Sequence, residues 1–296
     1  MGTPQFAVPC LDILVKNNYN VVAVITAPDR PAGRGLRLQA SPVKEYALRR
    51  DIPVLQPEKL KDPGFIEKLK SFHADLQIVV AFRMLPEIVW KMPPRGTINL
   101  HASLLPDYRG AAPINRVIIN GEKETGVTTF FLRHDIDTGN IIFQEKIEID
   151  ENDTAGTLHD KLMLAGAELI LKTVHAVEQN NYREIPQTGN SDKIAPRIFR
   201  EHCAINWDLE ISHIRNFVRG LSPSPTAYTL VGEKTIKIFS VHIEKHVHDE
   251  KPGTWSTDHQ SYFRFAAKDG FVYADELQME GKKRMFVIEF LKGFRI

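Results

Sequence analysis

Thr97-Ile98-Asn99-Leu100-His101-Ala102-Ser103-Leu104-Leu105-Pro106 is the stretch on which the reading of this chain turns. Its first half reads as a short β-strand. Strand side chains alternate between faces, so Asn99 and His101 point one way while Ile98 and Leu100 point the other. The Leu-Leu-Pro that follows ends regular structure. An amide donor and a titratable imidazole therefore stand side by side at the end of a strand, which is where open α/β sheets build their sites. An isolated Asn-x-His fits a turn asparagine and a satisfied core histidine equally well. The rest of the chain has to separate the two.

The chain has 296 residues, room for one large domain or two ordinary ones. Its 43% hydrophobic and 25% charged residues are those of a globular protein in water. A formal net charge of +1 gives no global pull on a polyanion, so any nucleic-acid contact must come from local patches. Cys10 and Cys203, the two cysteines, make neither a metal spacing nor a disulfide framework. This points to a reducing, cytoplasmic setting. No apolar run reaches the roughly 18 residues of a membrane span, and no membrane partner is expected.

Up to about residue 182, apolar runs alternate with helical patterns. Val21–Ile25, Leu76–Ala81 and Val127–Leu132 read as strands buried on both faces. Helical patterns lie near 42–50, 63–72 and 112–120, and Leu158, Leu162, Ala165 and Leu169 make one face of a further helix with Thr154 as its cap. This order predicts an α/β fold, a mostly parallel, doubly wound sheet over residues 1–182. Residues 183–203 are polar, with Pro186, Gly189 and Pro196, and read as a linker. From 204 to 296 the pattern is one helix near 208–219 ending at Gly220, then alternating runs at 235–243, 262–267, 271–277 and 285–290. These predict a small antiparallel β-barrel.

Four further stretches carry chemistry. Pro28-Asp29-Arg30-Pro31-Ala32-Gly33-Arg34-Gly35-Leu36-Arg37 follows a strand, so it is a loop at the sheet's carboxyl edge. Residues 29–50 hold six Arg/Lys against two Asp/Glu, a local +4, which suits a solvated loop or a basic finger for a phosphate backbone. His134-Asp135-Ile136-Asp137-Thr138-Gly139 is turn chemistry that also aims a carboxylate at His101. With no matching His/Cys cluster, no metal is expected there. Met84 and Leu85 follow a strand and are either core or the lining of a slot for a flat ligand. In the last sixteen residues, Lys282, Lys283, Arg284, Lys292 and Arg295 stand against only Glu289, which suits a solvated face or a basic strip by which a small barrel holds nucleic acid.

Taken in order, Gly2-Thr3-Pro4-x-Phe6, the Pro28–Gly35 loop, Ser41-Pro42-Val43-Lys44, Gln56-Pro57, Asn99-x-His101-x-Ser103-Leu104-Leu105-Pro106, Tyr108-Arg109-Gly110-Ala111-Ala112-Pro113-Ile114, Glu124-Thr125-Gly126-Val127-Thr128 and Asp137-Thr138-Gly139 resemble the methionyl-tRNA formyltransferase family, within the folate-dependent formyltransferase group. The resemblance runs nearly end to end. It implies a Rossmann-like catalytic domain, a linker and an oligonucleotide-binding (OB-type) barrel. Catalytic roles carry over to Asn99, His101 and Asp137. Contacts to a 10-formyltetrahydrofolate donor are expected from Arg83, Met84, Leu85, Ser103, Leu104, Leu105, Pro106 and Asp135. Contacts to initiator Met-tRNA are expected from Arg30, Arg34 and Arg37, and from Lys282, Lys283 and Arg284. The expected state is a monomer. The resemblance also implies a buried strand running into the Gly-Thr-Pro turn, whereas here Met1 directly precedes Gly2, and the stretch around 222–237 is short for the family.

The chemistry so implied moves a formyl group onto the α-amine of methionine esterified to tRNA. Asn99 and His101 donate to the developing oxyanion, and His101 with Asp137 carries the amine's proton. Three other readings use the same residues: formyl transfer to a small amine such as an amino-sugar nucleotide, a non-catalytic tRNA- or folate-binding module, and a hydrolase releasing formate.

Overall fold

The computed structural model describes residues 1–32, 37–188 and 191–293. By packing the chain divides into two compact units, one of 1–109, 126–147 and 159–194, the other of 110–125, 148–158 and 195–296.

In the first unit Gln77–Val80 pairs in parallel with Thr97–His101, which pairs antiparallel with Glu124–Phe131. Ile141–Glu148 completes a four-stranded sheet. Val24–Ile25 pairs in parallel with Val54–Leu55. Met1 and Gly2 link the two sheets: the Gly2 N–H donates to the Ile25 carbonyl at 3.0 Å, and the Val80 N–H donates to the Met1 carbonyl at 2.9 Å. Helices begin where the sequence supplies caps. Ser41 Oγ accepts from the Lys44 N–H at the start of Pro42–Leu48, and Asp62 Oδ1 accepts from the Phe65 N–H at the start of Pro63–Lys70. The predicted stripe on Ala155–Glu178 is buried at Leu158, Leu162 and Leu169.

One strand is shorter than the sequence suggests. Of Val21–Ile25 only Val24–Ile25 pairs. A strand's polar groups need a neighbour's N–H and C=O, and beside Val21, Val22 and Ala23 lies a cavity of about 620 Å³, floored by Cys10, Leu14 and Ile78. Met1 also lines it.

The second unit holds an antiparallel sheet ordered Ala227–Val231, Lys234–Lys245, Gly270–Met279, Phe263–Ala267, Trp255–Thr257, with Met285–Phe286 against Gly270–Met279. It curls around Ile236, Ile238, Phe263, Phe265, Val272 and Leu277, all at most 1% exposed. Two expectations need correcting. The helix runs Ile211–Leu221, through Gly220 rather than stopping at it. Gly220 is there for close approach, because a Cβ would lie 2.6 Å from Ile119 Cγ1. The run 285–290 is a strand only at Met285–Phe286 and then a helix, Val287–Gly293. Phe290 and Leu291 are buried at helical spacing from Val287, a pattern with no strict alternation.

Candidate active site

His101 closes the central Thr97–His101 strand, two residues beyond Asn99 on the same face. Ile98 and Leu100 go to the core on the opposite face, 0% and 4% exposed. The Asn99 carboxamide is half-buried and has no hydrogen-bond partner among the described residues. His101 is buried, and its Nε2 donates to the Tyr108 carbonyl at 2.9 Å. A carbonyl only accepts, so the proton on Nε2 is assigned by its partner. Nδ1 then faces Asp137 Oδ2 at 3.7 Å, with side-chain exposures of 8% and 12%. The carboxylate sits in the turn after Glu124–Phe131, where Asp137 has φ +54°. Gly139 closes that turn against the strand: a Cβ there would lie 1.6 Å from the Phe131 carbonyl oxygen.

The Ser-Leu-Leu-Pro loop is fastened from below. Ser103 is fully buried, and its hydroxyl donates to the Asp107 carbonyl at 2.6 Å. Thr128 Oγ1, also fully buried, donates to the Ser103 carbonyl at 2.6 Å and accepts from the Leu105 N–H at 3.2 Å. Gln144 Nε2 donates to the Leu105 carbonyl at 2.9 Å and to Thr128 Oγ1 at 3.0 Å. Leu105 itself packs on Phe130 and Ile141. Ser103 and Leu105 thus give the site its shape from inside, while Leu104 and Pro106 are half-buried.

The remaining expected donor contacts are spread along the next loops. The Arg83 guanidinium donates to the Glu58 carbonyl at 2.7 Å and to the Pro57 carbonyl. Met84 is 71% exposed, whereas Leu85 belongs to the core with Leu60, Phe65 and Val89. Asp135 points away from His101: its carboxylate is 82% exposed and 3.6 Å from His134 Nδ1. Of the basic loop, Arg30 is exposed at the start of the hairpin Arg30–Ala32/Arg37–Gln39. Arg34 lies outside the described residues, and Arg37 is described only in its backbone. The loop's root is anchored by Asp29, which meets Lys44 Nζ at 2.5 Å and accepts from Gln56 Nε2 at 2.8 Å. Lys44 first, then Gln56, holds the Asp29 carboxyl below its usual range. On the curled sheet Lys282 and Lys283 are exposed, and Arg284 is bound to Glu276 and lies 4.2 Å over the Phe239 ring.

Sequence reasoning quotes Thr128 and Tyr108 within motifs but gives no role to the Thr128 hydroxyl or the Tyr108 carbonyl, and it misses Gln187, whose amide donates to the Asp137 and Gly139 carbonyls. A backbone acceptor leaves no mark in residue types, and Gln187 sits in a polar stretch read as linker. The 620 Å³ cavity is lined by none of Asn99, His101 or Asp137. It is a feature of the sheet and lies apart from this site.

A carboxamide, a titratable ring and a carboxylate beside that ring, at the end of a strand in an α/β sheet, are groups suited to an enzyme that transfers a carbonyl group. Comparison with known proteins narrows the class. Residues 1–174 match the formyl transferase model and residues 197–295 the model of the formyl transferase C-terminal domain, and the chain belongs to this family. It is 52% identical over 305 residues to the methionyl-tRNA formyltransferase of Bacteroides fragilis, covering 100% of this chain and 94% of the relative. With that of Flavobacterium johnsoniae it shares 48% over 298 residues, 99% of this chain and 94% of the relative. Among solved structures, the sugar 3N-formyl transferase WlaRD, in the presence of dTDP and 5-N-formyl-THF, superposes with TM-score 0.68 at 24% identity, over 95% of this chain and 97% of that one. A Helicobacter canadensis N-formyltransferase gives 0.66 at 23%, over 92% and 96%. These two likenesses speak for the fold.

Proposed function

We propose that the chain transfers the formyl group of 10-formyltetrahydrofolate to the α-amine of methionyl initiator tRNA. What supports this reading is the His101 ring 3.7 Å from the Asp137 carboxylate, on a strand face shared with Asn99, whose carboxamide has no partner among the described residues, in a chain about half identical to curated methionyl-tRNA formyltransferases along its whole length. The amine attacks in its neutral form, which a pKa of about 7.7–8.0 makes available. Asn99 donates to the oxygen that gains charge, an interaction of about 2.7–4 kcal/mol where it has been measured in comparable sites. The amine's proton passes to the His101–Asp137 pair and on to the folate nitrogen that leaves, a relay of about 10²–10⁴ in rate.

In this reading Arg83, Met84, Leu104, Pro106 and Asp135 frame the donor, with Leu85, Ser103 and Leu105 holding the frame from behind. Arg30, Arg34, Arg37, Lys282 and Lys283 serve the tRNA backbone, and Arg284, expected among them from the sequence, is engaged by Glu276 and Phe239 instead. Residues 1–182 carry the chemistry, 183–203 the connection and 204–296 a tRNA-holding barrel, in a monomer working in a bacterial cytoplasm. No helix among the described residues is long and apolar enough to cross a membrane.

The test is formylation of charged initiator tRNA, with uncharged initiator tRNA, charged elongator tRNA and an amino-sugar nucleotide as alternatives. Product on the charged initiator alone supports the reading. Product on the sugar and none on tRNA overturns it.

A further inference from the structure

We infer that Gln187, backed by Arg109, is a positioning residue that sets the Asp137 carboxylate opposite His101. This rests on the catalytic reading of His101 and Asp137 given above.

Gln187 lies in the polar stretch that reads as a linker, yet that stretch is tied to the site at several points. Ile185 exchanges two backbone hydrogen bonds with Ile141, at 2.8 and 2.9 Å. Two residues on, the Gln187 side chain is used completely. Its Nε2 donates to the carbonyls of Asp137 and Gly139, both at 2.8 Å. Its Oε1 accepts from Arg109 Nε at 3.0 Å and from Arg109 Nη2. A primary amide offers two hydrogens and one oxygen with two lone pairs, and here all four sites are engaged. Glutamate has no hydrogens to give the carbonyls, and asparagine is one methylene short. The chemistry of the position is therefore that of glutamine, and a guanidinium on the amide oxygen strengthens what its nitrogen donates.

The turn needs such a grip. Asp137 is a non-glycine residue in the left-handed region, a conformation that persists where its surroundings impose it. Its contact with His101, at 3.7 Å, exceeds hydrogen-bond length and does not by itself fix where the carboxylate stands. The same stretch also reaches the other partner. The Lys193 carbonyl accepts the Tyr108 N–H at 2.6 Å, and the Tyr108 carbonyl in turn accepts from His101 Nε2. One segment thus grips Asp137 through Gln187 and His101 through Tyr108.

The experiment measures kcat, both KM values and thermal unfolding for Gln187→Ala, Gln187→Glu, Asp137→Asn and the Asp137→Asn/Gln187→Ala double variant. Displacement of the carboxylate by a fraction of an ångström to an ångström is expected to lower kcat about 10–100-fold in both Gln187 variants, with KM values changing less than about threefold. Gln187→Glu keeps the Arg109 contact, so it stays folded if the alanine variant does not. In the Asp137→Asn background the further loss from Gln187→Ala is expected to be less than about twofold, since the group it positions is already disabled. Wild-type kcat in Gln187→Glu, or a full multiplicative loss in the double variant, overturns the inference and leaves the catalytic reading standing. Wild-type kcat in Asp137→Asn overturns both.

Discussion

The imidazole of His101 is held by the Tyr108 carbonyl across 2.9 Å through Nε2. That bond occupies one nitrogen and leaves Nδ1 as the one free to exchange a proton, on the side where Asp137 Oδ2 stands 3.7 Å away. The gap exceeds hydrogen-bond length, so a proton exchanged between the two requires them to draw closer. Replacing His101 by alanine removes the relay and the bond to the Tyr108 carbonyl, and keeps the strand's core face, which is made by Ile98 and Leu100. Single-turnover formyl transfer is expected to slow at least about a hundredfold while the circular dichroism spectrum is kept. An unchanged single-turnover rate would remove the relay role.

Asn99 gives the cleanest separation of activity from stability. Its carboxamide donates to nothing among the described residues, so Asn99→Ala breaks no hydrogen bond seen there. Loss of one oxyanion donor is expected to lower kcat about 10²–10³-fold. The unfolding midpoint is expected to stay within about 2 °C, or to rise, as happens when a group kept for function is removed. A large drop in the midpoint would mean that the amide is structural.

How much of this was legible in the sequence depended on where each residue gets its partners. The 97–101 strand, its two faces and the long helix at 155–178 follow from periodicity, because their burial repeats at the period of the element. Asn99, His101 and Asp137 could be marked because each is a chemical group at a strand end or turn. The Val21–Ala23 segment failed because strand formation belongs to the pair of strands, and its own pattern says nothing about the neighbour. Gly220 is ambiguous for the same reason: a glycine marks a helix end or a close approach, and the distance to Ile119 is what decides. The helix at 287–293 differs, since its spacing of Val287, Phe290 and Leu291 is a local signal that a reading as strand overlooks. Gln187 acts through two backbone carbonyls nearly fifty residues away in sequence, and no local signal carries that.

Thr128 ties the loop that follows His101. Its hydroxyl serves the Ser103 carbonyl, the Leu105 N–H and the Gln144 amide, and the residue is fully buried. Thr128→Val has nearly the same shape and removes all three. A buried polar group left without a partner costs about 1–3 kcal/mol. The variant is expected to unfold at clearly lower denaturant with an unchanged m-value, and to lose activity because the loop beside His101 loosens. Wild-type stability would show that the loop is held without this hydroxyl.

In a chain whose first residue is Met1, the α-amine donates to the Ile78 carbonyl at 2.6 Å in a buried place. Burial lowers its pKa from 8.0 to about 5, with the neighbouring Cys10 acting in the opposite direction. Between these values the unfolded chain holds a proton that the folded one does not. Stability should therefore rise with pH from about 5 to 8, by up to about 1.4 kcal/mol per unit from this group, and this contribution should be lost as pH falls through 5. Placing several residues ahead of Met1 turns the ammonium into a peptide N–H. Denaturant unfolding of the two chains across this range is expected to show the slope only in the first. Equal slopes would place the amine in solvent.

The basic residues divide into those engaged within the protein and those available to a polyanion. Arg284 is bound to Glu276, which raises its pKa, and it covers Phe239. Its replacement by alanine is expected to weaken the curled sheet more than tRNA use, since a guanidinium stacked on a ring stabilises by packing as well as charge. Arg30, Lys282 and Lys283 are exposed and form no ion pair among the described residues. Each phosphate contact they make releases counterions, so removing one should flatten the dependence of log affinity on log salt by about 0.7–0.9. Titrating tRNA binding against salt for Arg30→Ala, Lys282→Ala, Lys283→Ala and Arg284→Ala separates the two groups. A slope that changes in Arg284→Ala and in none of the other three would reverse the assignment.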